Sequence, residues 1–364
     1  MFWYTYFKGG IPVVSLKEHL CNLVTGKTKG LVAGLLRGFL FVLSLIYGLI
    51  VVILAGFYRA RPVKFKAKVI SVGNITLGGT GKTTFVEYLA GKLNLEGRKI
   101  AVLSRGYKSK KHDGLQARGD EPAMLEKKLP FALVLVDKNR VRSALKATKD
   151  YAVDTLILDD GLQQWRIFKD LEIVAIDVGN AFGNSRILPA GFLREPLSAL
   201  KRADVFLLTQ GFLGQDVNEL TAKLKRINSQ ALIIESVHQP VGFSPLDNPD
   251  ELLSLDFFRG KSVMIFSGIG NPLGFENSIS SLGANIAKAI RFSDHHDYTI
   301  EDVDKLIVEA QRKKLEAVIT TEKDAVKIRQ LGIKDSGISV LGIELKVIKN
   351  EAELDRRLFS LYSF

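Results

Sequence analysis

Two kinds of hydrophobic pattern divide the chain. The first is one unbroken run: Gly38 to Phe57, GFLFVLSLIYGLIVVILAGF, is uncharged and mostly apolar over twenty residues, the length that matches a bilayer core. The second is alternation. From Val69 onward, short apolar runs recur at Lys99–Leu103, Ala132–Val136, Thr155–Leu158, Glu172–Ile176, Val205–Leu208 and Leu232–Ile234, with helical stretches such as Asn139–Lys149 and Val217–Ile227 between some of them. Strand–helix alternation of this kind predicts a mostly parallel sheet covered on both faces. Around Gln239–Pro249 the composition shifts to Pro, Gly, Ser, Asp and Asn, which predicts a linker. A shorter alternation follows: strands at Ser262–Phe266, Ile286–Ile290, Ala317–Thr320 and Ser339–Ile343, helices near Ile300–Lys313 and Glu322–Leu331. The expected fold is therefore α/β in three parts: an N-terminal segment 1–58 with a hydrophobic membrane helix at about 38–57, a larger domain 59–238, and a smaller α/β domain 239–364.

The larger domain is organised around Val69–Leu93, VISVGNITLGGTGKTTFVEYLAGKL. Val86, Leu89, Ala90 and Leu93 fall at i, i+3, i+4 and i+7, one apolar stripe along a helix. Strand, glycine loop and helix form the context of a phosphate-binding loop and point to a P-loop NTPase-like domain. Gly78, Gly79 and Gly81 let the backbone turn sharply and aim N–H groups at an anion. The helix start adds the positive end of its dipole. Lys82 is placed to reach the outer phosphates and the Thr83 hydroxyl to ligate Mg²⁺. The strict spacing G-x-x-x-x-G-K-[ST] asks for glycine where this chain has Thr76.

Charge and cysteine content narrow the picture. A net charge of +12 and a pI near 9.5 call for an anionic partner, for which nucleic acid, membrane lipid and polyphosphate are equally suitable. Cys21 is the single cysteine, which excludes an intrachain disulfide and a multi-cysteine metal site. The eleven residues from Tyr58 to Lys68 hold five basic residues and no acid, whereas Lys8, Lys17, Lys27, Lys29 and Arg37 are spread thinly before the hydrophobic run. The denser cluster places the C-terminal body in the cytoplasm. Positive charge on both flanks also suits a helix that dips into one leaflet.

Four further stretches carry candidate chemistry. Thr155–Asp160 is an apolar strand ending in two carboxylates, Asp159 and Asp160, the arrangement that holds Mg²⁺ beside a phosphate loop. Gly119-Asp120-Glu121-Pro122 is expected in a long polar loop at the C-terminal edge of the sheet, where ligands bind. Asp294-His295-His296-Asp297 has the elements of an acid/base or metal site, though four consecutive side chains cannot face one point. Asn180–Glu195 is too rich in glycine and polar residues for a core element, and its Arg186, Arg194 and Glu195 are suited to line a pocket.

Taken in order, GNITLGGTGKTT, SRGY, GDEP, LDDGLQ, LPAGFLREP, SGIGNP, DHHDYT and TTEKDAVK resemble the motif series of the tetraacyldisaccharide 4'-kinases, the lipid A 4'-kinases of Gram-negative bacteria. The resemblance runs from about Arg59 to the C-terminus, with the hydrophobic segment where that family has its membrane anchor. It implies transfer of the ATP γ-phosphate to the 4'-hydroxyl of a lipid A disaccharide, at the cytoplasmic face of the inner membrane. It also implies ATP and Mg²⁺ as cofactors, membrane lipid as partner, and neither nucleic acid nor an obligatory protein partner. Motif by motif, it implies that Gly78, Gly79, Thr80, Gly81, Lys82, Thr83 and Thr84 bind the nucleotide, and that Thr83, Asp159 and Asp160 hold the metal. Asp120 resembles the family's catalytic carboxylate, tuned by His295 across the two domains, with Lys82, Arg194 and Glu195 completing the catalytic set. The family pattern tolerates Thr76. It usually reads DDGxQH, however, and here Gln164 follows Gln163, so a proton-carrying role at that position is lost while a hydrogen-bonding one survives. Two rival readings stay open: a membrane-tethered P-loop NTPase switch without a lipid acceptor, and a noncatalytic nucleotide- or lipid-binding subunit.

Overall fold

The computed structural model describes residues 16–106, 111–112, 115–116, 120–209, 216–294, 296–333 and 336–363. The chain forms two compact units: Val13–Val237 joined by Lys346–Phe364, and His238–Leu345.

The larger unit opens with helices α1 (Leu16–Val24) and α2 (Leu31–Ala60). Strand β1 (Lys68–Asn74) leads into α3 (Lys82–Leu95) and β2 (Ile100–Ser104); a small antiparallel pair, β3 (Lys111–His112) and β4 (Leu115–Gln116), precedes α4 (Asp120–Lys128). Then come β5 (Leu133–Val136), α5 (Arg140–Asp150), β6 (Thr155–Asp159), β7 (Leu171–Asp177), β8 (Val205–Thr209), α6 (Asn218–Ile227) and the start of β9 (Leu232–Pro245). The sheet order is β9-β8-β7-β1-β6-β2-β5, and the pairings are parallel. Strands buried on both faces read as continuous apolar runs, and β2, β6 and β8 are buried at every position. On α3 the expected stripe is the core face: Val86, Leu89, Ala90 and Leu93 are fully buried, and Phe85 joins them.

The smaller unit contains β10 (Ser262–Ser267), α7 (Pro272–Ser281), β11 (Asn285–Arg291), α8 (Ile300–Arg312), β12 (Ala317–Thr321), α9 (Glu322–Arg329) and β13 (Ile338–Lys349), and its strands are hydrogen-bonded in the order β11-β10-β12-β13. Its pairings are also parallel. The motifs SGIGNP and TTEKDAVK leave the C-terminal ends of β10 and β12.

Several elements depart from the sequence pattern. Helix α2 extends past the uncharged run at both ends. The expected linker is, through Pro245, the second half of β9, where Phe243 is fully buried and exchanges two backbone bonds with Leu253. GDEP is less a loop than a helix start, since α4 begins at Asp120. Residues 346–363, expected in the smaller domain, pack on the larger unit. There α10 (Glu351–Ser360) sets Asp355 and Glu351 against Lys92 at 2.6 and 2.8 Å, and the Tyr362 hydroxyl lies 2.8 Å from Thr155.

Candidate active site

The loop between β1 and α3 is held from both sides. At the end of β1, the Asn74 amide donates to the carbonyls of Thr76 (2.9 Å) and Gly78 (3.4 Å). From the end of β8, the Thr209 hydroxyl donates to the Thr80 carbonyl at 2.9 Å. Gly81 takes a left-handed conformation, φ 71°, which only glycine adopts without strain. It offers no side-chain cap, so the N-terminus of α3 is left to an anion. Among the described residues, a Cβ on Gly78 or Gly79 would meet nothing within 4 Å. The loop is thus braced beneath, with room over these two glycines. Lys82 opens the helix, and Thr83 and Thr84 follow half-buried; Thr80 is buried, its hydroxyl without a partner among the described residues.

Register brings the acidic strand end to this loop. Parallel pairing sets Asp159 beside Val72, and the Gly161 N–H closes on the Val72 carbonyl at 3.0 Å. Asp160, at φ 58°, turns its carboxylate to two cations: it accepts bonds from both Arg194 amino groups at 2.7 and 2.9 Å, with Lys82 Nζ at 3.6 Å. Arg194 also donates to Asn74 Oδ1 at 3.2 Å, which ties loop brace, lysine and carboxylate into one network. Burial pushes the Asp160 carboxyl up, but Arg194 and Lys82 outweigh it and hold the group down at about 2. Beneath lies Arg140, 2% exposed, donating to the carbonyls of Asp137 and, at 3.3 Å, Asp159. Burial lowers its guanidinium to about 10 against the pull of Asp159 and Asp160. A buried cation under an acidic strand end offsets part of the charge that two adjacent carboxylates concentrate.

Glu195 has a different place. Its side chain is 2% exposed and accepts four bonds, two from Arg202 (2.8 and 2.9 Å), one from Gln163 (3.1 Å) and one from Trp165 (3.3 Å). Gln163 also reaches the Asn74 carbonyl at 3.3 Å, so Glu195 fastens the turn after Asp160 to the segment that carries Arg194. Arg186 stands apart, 5.5 Å over the Phe41 ring on α2.

Asp120 is the first residue of α4; its side chain lies outside the described residues, and so does all of His295. The neighbouring His296 is packed in the smaller unit, its ring stacked on Phe292 at 4.6 Å and Nε2 3.3 Å from Asp302. Asn74, Arg140, Gln163 and Thr209 are site residues that pattern alone did not single out. Each is one polar position in or beside an apolar element; Asn74 and Gln163 lie in motifs, GNITLGGTGKTT and LDDGLQ, but not at the positions whose chemistry those motifs spell out.

The donor set suits Mg²⁺. A threonine hydroxyl and two aspartates are hard oxygen ligands, and Asp160, with two bonds to Arg194, keeps acceptor positions to spare. Among the described residues no cluster of three or more His, Cys, Asp or Glu forms an all-protein metal cage.

A parallel sheet whose first strand enters a glycine loop and a Lys-Thr-Thr helix start, beside a strand ending in paired aspartates, defines a P-loop nucleotide-binding fold. Residues 36–362 match the family model described as Tetraacyldisaccharide-1-P 4'-kinase, LpxK. A tetraacyldisaccharide 4'-kinase from Halothermothrix orenii is 36% identical, over 91% of this chain and 94% of the relative. One from Anaeromyxobacter dehalogenans is 36% identical over 80% and 79%. The crystal structure of LpxK from Aquifex aeolicus in complex with ATP superposes with a TM-score of 0.68 at 27% identity, covering 90% of this chain and all of that one. The chain belongs to the tetraacyldisaccharide 4'-kinase family, the lipid A biosynthesis kinases.

Proposed function

We propose that this chain transfers the γ-phosphate of ATP to the 4'-hydroxyl of tetraacyldisaccharide 1-phosphate, at the cytoplasmic face of the inner membrane. The observation that carries the reading is the Lys82–Asp160–Arg194 network at the mouth of a braced, open phosphate loop. The Aquifex aeolicus relative, whose structure holds ATP, supports the choice of nucleotide. Residues 78–84 cradle the phosphates through backbone N–H groups and Lys82. Thr83, Asp159 and Asp160 would hold Mg²⁺. When bound, the ion neutralises charge on the β- and γ-phosphate oxygens. Arg194 keeps Asp160 ionised and aimed, and Glu195 acts as a positioning residue by fixing the Arg194 segment. In the transfer, the 4'-oxygen bonds to the γ-phosphorus and the bond to the β,γ-bridging oxygen breaks, its electron pair leaving with ADP. The hydroxyl proton passes to Asp120. Sugar hydroxyls have high pKa values, so a proton acceptor is needed; the resemblance of GDEP to the family's motif supports Asp120 in that role.

Transfer from γ-³²P-ATP to the disaccharide in detergent tests the proposal. The expected result is label in the lipid and little free phosphate when lipid is left out. Equal phosphate release with and without lipid would favour the NTPase switch instead.

A further inference from the structure

A cavity of about 320 Å³ opens beside the segment that joins β6 to β7. Because the two strands run in the same direction, that segment has to return from Asp159, at the C-terminal end of β6, to Leu171, at the start of β7. On its way back it is pinned to the chain that follows α2. The Val63 N–H donates to the Arg166 carbonyl at 2.8 Å, and the Phe168 N–H donates to the Val63 carbonyl at 2.9 Å. Trp165 and Phe168 wall the cavity, and Arg59, Lys169 and Arg202 line it together with Glu172 and Asp204. Glu172 is the second residue of β7 and Asp204 directly precedes β8, so the cavity lies toward the N-terminal ends of the strands. The phosphate loop leaves the opposite end of β1, and none of its residues lines the cavity.

The donors on its wall are not used up. Arg59 is exposed, and its guanidinium makes no ion pair or hydrogen bond among the described residues. The Lys169 side chain is only 9% exposed; it pairs with Glu172 and donates to the Leu162 carbonyl at 3.2 Å, two of the three bonds an ammonium can donate. Arg202, mostly buried, gives two bonds to Glu195 and one, at 3.4 Å, to the same Leu162 carbonyl, three of a guanidinium's five. The acids are engaged: Glu172 holds Lys169, and Asp204 accepts from the Glu172 N–H at 2.7 Å. Burial lowers the Lys169 ammonium against the pull of Glu172, and a further anion beside it would favour its charged form. Cationic donors between aromatic walls suit a phosphate ester, whose phosphate takes charge-assisted bonds while its organic part packs on the rings. The volume is at the small end of the range for small-molecule sites, about 300–1,000 Å³.

We propose that this cavity binds the phosphate group of a small phosphate ester, apart from the nucleotide, and that its occupancy is felt at the metal-holding turn. The link is the Leu162 carbonyl, two residues after Asp160, on which Lys169 and Arg202 both close. Arg202 also grips Glu195, the neighbour of Arg194. A phosphate that draws on Arg202 and Lys169 loosens both grips, so occupancy lowers turnover without competing for the nucleotide loop. The effect on turnover rests on the kinase reading above; the binding itself does not.

Trp165 reports the cavity, and Trp3 is the only other tryptophan. Full-length Trp3→Phe protein in detergent is titrated with glycerol 3-phosphate at constant ionic strength, with the phosphate loop filled by Mg²⁺ and a nonhydrolysable ATP analogue. A saturable change in Trp165 fluorescence is expected, and Arg59→Gln should weaken it about 10-fold or more. Lys169→Met should weaken it as well; if that variant fails to fold, Arg59→Gln, at an exposed position, carries the test. A second titration, with phosphatidylglycerol in the same micelles, separates the sources. A response to glycerol 3-phosphate supports a free metabolite, and a response to the lipid alone supports a headgroup, provided either depends on Arg59. No saturable change with either probe, or an affinity unaltered in Arg59→Gln, overturns the proposal. In the kinase assay glycerol 3-phosphate should lower kcat and leave KM for ATP unchanged, with less effect on Arg59→Gln. Competition with ATP that Arg59→Gln does not relieve would place the effect at the phosphate loop and overturn the coupling. Fluorescence needs no turnover, so its failure is distinguishable from failure of the kinase reading.

Discussion

Asp160 stands between two cations, and its behaviour with pH follows from that. Its folded value, about 2, lies below the ordinary aspartate value of about 3.9. The stabilisation is therefore fully present above pH ~4 and is lost as pH falls through about 2, and its size is about 2 kcal/mol. Asp160→Asn should lack this component. Urea titrations at pH 5, 4 and 3 should show the gap between wild type and variant roughly halved by pH 3; a gap independent of pH would show that the carboxylate is not held by Arg194 and Lys82. Lys82→Ala should lower kcat by about 10²-fold or more, because it removes charge that meets the transferring phosphoryl group, with circular dichroism unchanged. Near-normal turnover in that variant would remove the phosphate-loop assignment. Glu195→Gln should behave in the opposite way. Breaking a buried ion pair costs about 3–5 kcal/mol, so unfolding free energy should fall while turnover at a permissive temperature stays well above that of Lys82→Ala. Equal kcat losses in the two variants would place Glu195 in the catalytic set. Lys82 and the Asp159–Asp160 pair were legible in the sequence because the chemistry forces residue types at fixed spacing. Arg140 was not: its meaning comes from what lies above it, and a lone arginine opening a helix reads as solvated.

Elements were legible where hydrophobic periodicity decides them. Strands β2, β6, β7 and β8 fall within a residue or two of their apolar runs, since strands covered on both faces have to be apolar throughout. Legibility failed where partners distant in sequence decide. The second half of β9 contains Pro240, Gly242 and Pro245 and reads as a linker, yet Phe243 is anchored by its two bonds to Leu253. Helix α10 reads as an appendage of the smaller domain because nothing local shows Lys92 waiting for it. Lys92 donates to both oxygens of Asp355 at 2.6 and 2.7 Å, while the Tyr88 hydroxyl donates to Glu351 at 2.6 Å. Burial lowers the Lys92 ammonium, but Asp355 and Glu351 outweigh it and raise it overall. Bonds to charged partners at a half-buried site contribute about 1.5–3 kcal/mol each way they are broken. Lys92→Ala should therefore lower the urea midpoint by an amount worth about 2 kcal/mol, with unchanged m-value. A midpoint within error of wild type would mean that Lys92 does not hold α10, leaving its apolar residues Leu354 and Leu358 and the Tyr88–Glu351 bond to do so.

At the scale of the whole molecule, part of the net charge of +12 is clustered directly after α2. Composition alone left nucleic acid, polyphosphate and lipid equally suitable. The structure puts Arg61, Lys64 and Lys66, all exposed, directly after the apolar helix, with Lys64 4.9 Å over the ring of Phe168. An acylated substrate leaves the bilayer only at about 0.8 kcal/mol per exposed CH₂, so a kinase that takes one gains by staying at the surface. Membrane affinity should then divide into two separable parts. The apolar face of α2 supplies a part that salt does not weaken. The basic segment supplies about 1 kcal/mol per charge on an anionic surface, screened within a Debye length. Arg61→Gln, Lys64→Gln and Lys66→Gln together should therefore weaken binding to phosphatidylglycerol-containing vesicles by about 10²-fold at low salt. On neutral phosphatidylcholine vesicles the triple variant should match wild type, and raising the salt should bring wild type down to the variant on anionic ones. Sedimentation with both vesicle types at two salt concentrations measures all three. An equal loss on neutral vesicles would mean that the three residues hold the helix rather than the headgroups, and salt-independent binding of wild type would remove the electrostatic part altogether.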